Sequence, residues 1–219
     1  MNLLNAAADI RYLLNRGYNL KGAVGFVCDH YRLDANSRHI LSRAVIAGPT
    51  CEKRQKKFLP CDTIQGNNII VDGYNIIIGM ESILERKAIM CDDGVVRDIK
   101  GISRNFRTSG NTHQAIGLIL SFLEEKSPSR VCFLFDSQIS KSGVLAKLLR
   151  EKIAQSGLTG SAGTSRHVDH DLKYSSDIVA TSDGVIIDAV EKVINLLCCI
   201  ICENPHLENG ISTISDYTG

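Results

Sequence analysis

Asn68-Ile69-Ile70-Val71-Asp72-Gly73-Tyr74-Asn75 is the stretch on which the rest of the chain turns. Three apolar, mostly β-branched residues run into an aspartate, a glycine and a polar pair. An apolar run of this length reads as a strand buried on both faces. Asp72 then falls at its carboxyl end, where ligands and reacting groups collect in open α/β sheets. The plainer reading is that Asp72-Gly73 is only a turn. Ile76 to Leu84 could prolong the strand or start a helix, and a short loop followed by a helix is the favoured reading.

What sets Asp72 apart is that two later apolar runs end the same way. Arg130-Val131-Cys132-Phe133-Leu134-Phe135-Asp136 is the second, and Ile178-Val179-Ala180-Thr181-Ser182-Asp183 the third. Between them, an amphipathic helix is expected over Thr112 to Glu125, a second helix over Val144 to Ile153, and a flexible connection over Gly157 to Gly163. Asp169 and Asp171 stand just before the third run, and Val185 to Cys202 is expected to be one last helix. Alternating strands and helices imply an α/β domain with a mostly parallel sheet. In such a sheet the carboxyl ends of the strands share one edge, so the acids are expected to meet there with Asn75 facing them. Asp183 could alternatively be no more than a helix cap.

Other polar stretches are candidates for substrate contact. Ser140-Lys141-Ser142-Gly143, at a helix start, could cradle a phosphate or merely cap the helix. Arg104 and Arg107 flank Phe106 in a polar loop, a pattern suited to a nucleic-acid backbone and a stacked base, or to an ordinary surface loop. Ala88 to Ile99 reads as a hairpin around Asp92-Asp93-Gly94, with Asp92 and Asp93 as turn residues lying away from the other acids.

Upstream, residues 1–48 read as three short helices with Asp34 as an N-cap. The bundle is only faintly like a helix-turn-helix. The basic run Cys51 to Lys57 is either a solvated helix end or a phosphate-contacting strip, and Pro60 marks a domain boundary. The expected layout is therefore a helical domain over 1–60, an α/β domain over 61–203 and a frayed tail over 204–219.

Composition narrows the functional classes. The 219 residues carry a net charge of +1, so no global field draws the chain to nucleic acid or membrane. No apolar run reaches membrane-spanning length. Eight cysteines without a secretory leader imply a cytoplasmic protein with reduced thiols. Only Cys198, Cys199 and Cys202 cluster, without the second pair a structural zinc site favours, so core packing is the expectation. A homo-oligomer is compatible with the sequence.

Clustered carboxylates raise one another's pKa unless a cation neutralises them. Hard oxygen ligands select Mg²⁺ or Mn²⁺, ions that serve phosphodiester hydrolysis. In order, Val71-Asp72-Gly73-Tyr74-Asn75, Phe133-Leu134-Phe135-Asp136 and Val179-Ala180-Thr181-Ser182-Asp183 resemble the NYN (YacP-like) branch of the PIN-like nucleases. That resemblance covers about residues 67–200. It implies an α/β/α fold and metal-dependent cleavage of RNA. Asp72, Asp136 and Asp183 would be metal ligands, Asn75 would stand beside the first, and Asp169 or Asp171 would match the acid of an intervening helix. The hairpin and the Ser140–Gly143 loop depart from that branch. The whole chain is similar to an uncharacterised, mainly archaeal family. It joins a small helical unit (domain of unknown function four-three-four) to such a sheet domain. Asp169-His170-Asp171 also resembles the acidic pair of Toprim domains, which require a glutamate where Asp72 stands. An RNA- or nucleotide-binding module with a decayed site, and a structural adaptor, are the other classes left open.

Overall fold

The computed structural model describes residues 2–99 and 106–217. Four helices lead: α1 (Asn2–Leu14), α2 (Leu20–His30), α3 (Ala35–Ala44) and α4 (Gly48–Gln55). Asp34 caps α3 by accepting the Ser37 N–H at 2.7 Å. The first three helices bury Leu3, Ile10, Val24, Val27, Ile40 and Leu41 against one another. The basic run at 51–57 is half helix, and its Arg54 is buried in ion pairs instead of being offered to a phosphate.

The α/β unit begins with β1 (Asn68–Asp72) and α5 (Gly73–Leu84), with no loop between them. The expected loop is absent because Gly73 lets the helix start directly against the Phe135 ring. A Cβ at this position would sit 2.4 Å from a ring carbon. Next come β2 (Ala88–Met90), β3 (Val96–Asp98), α6 (Gly110–Lys126), β4 (Arg130–Asp136), α7 (Ser142–Gln155) and β5 (Gly160–Ser165). The chain continues with α8 (Val168–Lys173), β6 (Ile178–Ala180), α9 (Gly184–Ala189), β7 (Val193–Ile194), α10 (Leu196–Glu203) and β8 (Ile211–Ser212).

The main sheet is five-stranded and wholly parallel, in the order β5-β4-β1-β6-β7. Strand alternation sorts its faces. Ile69, Val71, Phe133, Phe135 and Ala180 pack into one core with α5, α6, α7 and α10. Ile70, Val179, Cys132 and Leu134 face Leu172 of α8 and Ile186 and Ile187 of α9. The domain is thus α/β/α. Period two then puts Asp72 on the α8–α9 face with Ile70, and Asp136 on that face with Leu134. Strands run outward from β1 through β4 to β5, and then the chain crosses to β6 on the other side. The order therefore reverses between β1 and β6, the place where open α/β sheets open a crevice at their carboxyl ends.

Three expectations are corrected here. Gly160–Ser165 is an edge strand and no flexible link: it pairs with β4 over six residues although its Gly-Ser-Ala-Gly-Thr-Ser sequence lacks the apolar alternation of a strand. The single last helix is α9, β7 and α10. Val193 and Ile194 are fully buried beside β6, and apolar spacing alone does not separate such a strand from a helix. The tail is ordered over 205–217. Leu207 plugs the main core, β8 pairs with β2, and Ile214 joins the helical bundle.

The hairpin β2–β3 and β8 form a second, three-stranded sheet. Ala88 of this sheet faces the main core, and Ile89 and Cys91 face the bundle. The hairpin is therefore the joint between the two units. Its Asp92 and Asp93 are more than turn residues. Asp92 takes Arg11 of α1 through both oxygens, at 2.8 and 2.9 Å, and the Ile46 N–H at 3.1 Å. Asp93 is buried and accepts from Arg97 at 2.7 and 2.8 Å and from Arg54 at 2.7 Å, while Arg54 reaches on to Asp188. Burial alone would push the Asp93 carboxyl up, but the two guanidiniums hold it below the ordinary carboxylate range.

Cys61 and Cys199 form a disulfide across 138 residues, contrary to the expectation of thiols only. It clamps the segment entering β1 to α10. Closing so long a loop restricts the unfolded chain, an effect of about 2–4 kcal/mol. Reduction, or the pair Cys61→Ser and Cys199→Ser, is expected to lower the unfolding free energy by that amount and the denaturant midpoint with it. An unchanged midpoint under reductant would refute a stabilising clamp.

Candidate functional site

Asp72 sits at the end of the central strand, 5% exposed. Its Oδ2 accepts from Asn75 Nδ2 at 2.6 Å and from Thr181 Oγ1 at 2.8 Å. Asn75 is the third residue of α5, inside its first turn, so Gly73's tight helix start is what brings it back to the carboxylate. Burial pushes Asp72 up to about 6; the bonds from Thr181 and Asn75 oppose this, and the charge of Asp183 adds to it. A carboxyl group raised this far changes protonation state about two pH units above the ordinary carboxylate range, a mark of functional sites as well as of crowded cores.

Asp183 follows β6. Its Oδ1 caps α9, accepting from Val185 N–H at 2.6 Å, and its own N–H donates to Thr181 Oγ1 at 3.1 Å. The Thr181 hydroxyl therefore links the two acids. Capping does not exclude a site role, since the charge of Asp183 still acts on Asp72. On the other flank, Asp72 is level with Leu134 of β4, and Asp136 stands two residues further on. Strand spacing of about 4.8 Å and a rise of about 3.3 Å per residue then set the Asp72 and Asp136 Cα atoms about 8 Å apart.

These groups line one cleft of about 560 Å³. Its floor is Asp72, Asn75 and Asp183; one wall is Asp136, Gln138 and Ile139, and the other is Arg166, His167, Asp169 and His170. Tyr74 also lines it, 3% exposed, with its hydroxyl lacking a hydrogen-bond partner among the described residues. Burial and the nearby Asp136 push that hydroxyl up to about 12, so it stays a proton donor. A buried hydroxyl left unbonded costs free energy that a bound oxygen-rich ligand or an ordered water would recover.

Of the residues picked from sequence, the cleft brings together Asp72, Asn75, Asp136, Asp169 and Asp183. Asp171 is turned toward the His170 ring, 3.7 Å from Nδ1, and does not line the cleft. Ser140, Lys141 and Ser142 do not border it either: the chain from Gln138 to Ile139 takes that place. Lys141 adopts a left-handed backbone at the start of α7, where neither serine supplies a side-chain cap. Arg107 is exposed, and Arg104 lies outside the described residues. Tyr74, Arg166, His167 and Thr181 were missed as site residues. Tyr74 and Thr181 lie inside the quoted motifs, whereas Arg166 and His167 follow a strand that the sequence pattern conceals.

Among the described residues, no group of three or more His, Cys, Asp or Glu side chains could hold a metal ion by itself. The cleft instead offers one or two carboxylates at its floor. That donor set suits a magnesium-like ion, which keeps several waters and takes few protein oxygens, better than a fully caged one.

A five-stranded parallel α/β/α domain with an acidic cleft at its strand reversal, joined to a helical bundle, defines the class of protein. More particularly, the chain belongs to the family described as "Domain of unknown function (DUF5616)", which matches residues 61–199. "Protein of unknown function (DUF434)" matches residues 2–57. The chain is also 32% identical over 200 residues to "Uncharacterized protein MJ0935" of Methanocaldococcus jannaschii, covering 90% of this chain and 95% of that one. No solved structure matches it. Among the described residues, no helix is long and apolar enough to cross a membrane.

Proposed function

We propose that the chain is a metal-dependent nuclease that hydrolyses RNA phosphodiester bonds in the Asp72 cleft. The observation carrying this reading is Asp72 itself: a buried carboxylate raised to about 6, at the strand reversal, with two further acids beside it. Asp72 with Asp183 or Asp136 would hold Mg²⁺ or Mn²⁺. When bound, such an ion activates a water and neutralises charge on the phosphate and leaving oxygen. The chain's own groups do the rest. Asn75 and Thr181 fix the Asp72 carboxylate, Arg166 offers the phosphate a cation, and the Tyr74 hydroxyl donates to a phosphate oxygen. RNA as substrate rests on the resemblance of the strand-end motifs to the NYN branch of the PIN-like nucleases.

The absence of a three-ligand group among the described residues favours a second reading, an RNA- or nucleotide-binding module without catalysis. Labelled single-stranded RNA, structured RNA and duplex DNA incubated with Mn²⁺ or with EDTA separate the two. The nuclease reading expects cleavage of RNA with Mn²⁺ and none with EDTA. Binding without metal-dependent cleavage would replace it with the second reading.

A further inference from the structure

A second groove, of about 530 Å³, lies where the helical bundle meets the α/β domain. It shares Asn75 and Asp183 with the acid cleft, so the two lie side by side. Its rim is apolar and exposed on both sides. Tyr18, in the α1–α2 link, is 61% exposed, and Val185, at the start of α9, is 62% exposed; Leu20 completes the rim. Polar groups stand between them: Ser42, and Arg43, whose guanidinium meets Asp98 only at 3.8 Å. The back wall is rigid, because Arg54 and Arg97 are both pinned to the buried Asp93. Gly184 keeps α9 pressed on that wall, where an added Cβ would fall 2.5 Å from an Arg54 nitrogen.

We propose that this groove is a nucleobase site: it takes one unpaired base of the RNA strand whose phosphate enters the acid cleft, with Tyr18 as the stacking platform. A ligand spanning both openings needs a flat apolar part with polar edges joined to a phosphate, and that is the chemistry of a nucleotide. Base stacking on an aromatic ring is tolerant of sequence and open to single strands, whose bases are unpaired. Arg43 and Ser42 are placed to meet the polar edge of the base. The helical bundle thereby acquires a role in substrate choice: a paired base cannot enter the groove, so single-stranded RNA is selected over duplex. This inference rests on the nuclease reading, since that reading brings the phosphate to Asp72.

The test is the anisotropy of a labelled single-stranded RNA on the otherwise unsubstituted full-length protein, with Ca²⁺ in place of Mg²⁺ so that the RNA is held and not cut. Tyr18→Ala and Val185→Glu are expected to weaken binding about tenfold each, and Tyr18→Phe to bind as the parent does. Both positions are exposed, so these variants fold. Binding unchanged in Tyr18→Ala and Val185→Glu, or no RNA binding by the parent, overturns the groove as a base site. Cleavage by the unsubstituted protein is measured in parallel. If it cleaves RNA while the variants bind normally, the groove fails and the nuclease stands. If it does not cleave while the variants lose binding, the nuclease fails and the base site stands.

Discussion

Asp72→Asn is expected to cut metal-dependent RNA cleavage by more than about 100-fold, since it removes the carboxylate at the centre of the site. The same substitution is expected to stabilise the metal-free fold. Burial raises Asp72 from its ordinary 3.8 to about 6, so the folded protein binds this proton more tightly than the unfolded chain does. Stability therefore falls as pH rises from about 4 to about 6, and above that range ionised Asp72 costs about 2–3 kcal/mol. Asparagine keeps the shape and the partners without the charge. Urea unfolding in EDTA should show the variant more stable than the parent by that amount near pH 8, and no more stable near pH 4. Added Mn²⁺ should stabilise the parent and leave the variant unmoved. A variant that is less stable than the parent near neutral pH would mean that Asp72 is a structural anchor and no strained site group.

The second large effect falls on the joint between the two units. Asp93→Ala strips Arg97 of both its carboxylate bonds and Arg54 of one, leaving buried guanidiniums short of a partner. Losing one member of a buried ion network costs about 3–5 kcal/mol. Asp92→Ala, whose Arg11 pair is partly exposed, should cost only about 1 kcal/mol. The contribution of Asp93 is fully present above the ordinary carboxylate range and is lost as pH falls through its lowered value. Urea midpoints of the two variants at neutral pH check the contrast. Equal losses would show that the burial of Asp93 carries no special weight.

Much of this was legible in the chain. Ile69-Ile70-Val71-Asp72 and Val131 to Asp136 announce themselves because a strand buried on both faces needs an unbroken apolar run, and these runs have no helical spacing to compete with. The acids ending them could be read as one site because parallel strands share a carboxyl edge. The hidden parts fail for physical reasons. β5 is an edge strand held by backbone pairing to β4, so its small polar residues carry no pattern. β7 is two buried residues inside a run whose spacing suits a helix equally well. Asp92 and Asp93 sit in a turn signal, and nothing local reveals that Arg11, Arg54 and Arg97, up to 81 residues away, converge on them. The cleft wall formed by Arg166 and His167 depends on β5 and was lost with it.

The nuclease assignment is tested most directly by crystals of the full-length protein soaked in Mn²⁺ and measured at the manganese absorption edge. An anomalous peak about 2 Å from an Asp72 carboxylate oxygen, with Asp183 or Asp136 as a second ligand and waters completing the shell, is the expected result. Manganese bound only elsewhere, with the Asp72 cleft holding none at saturating concentration, would contradict it.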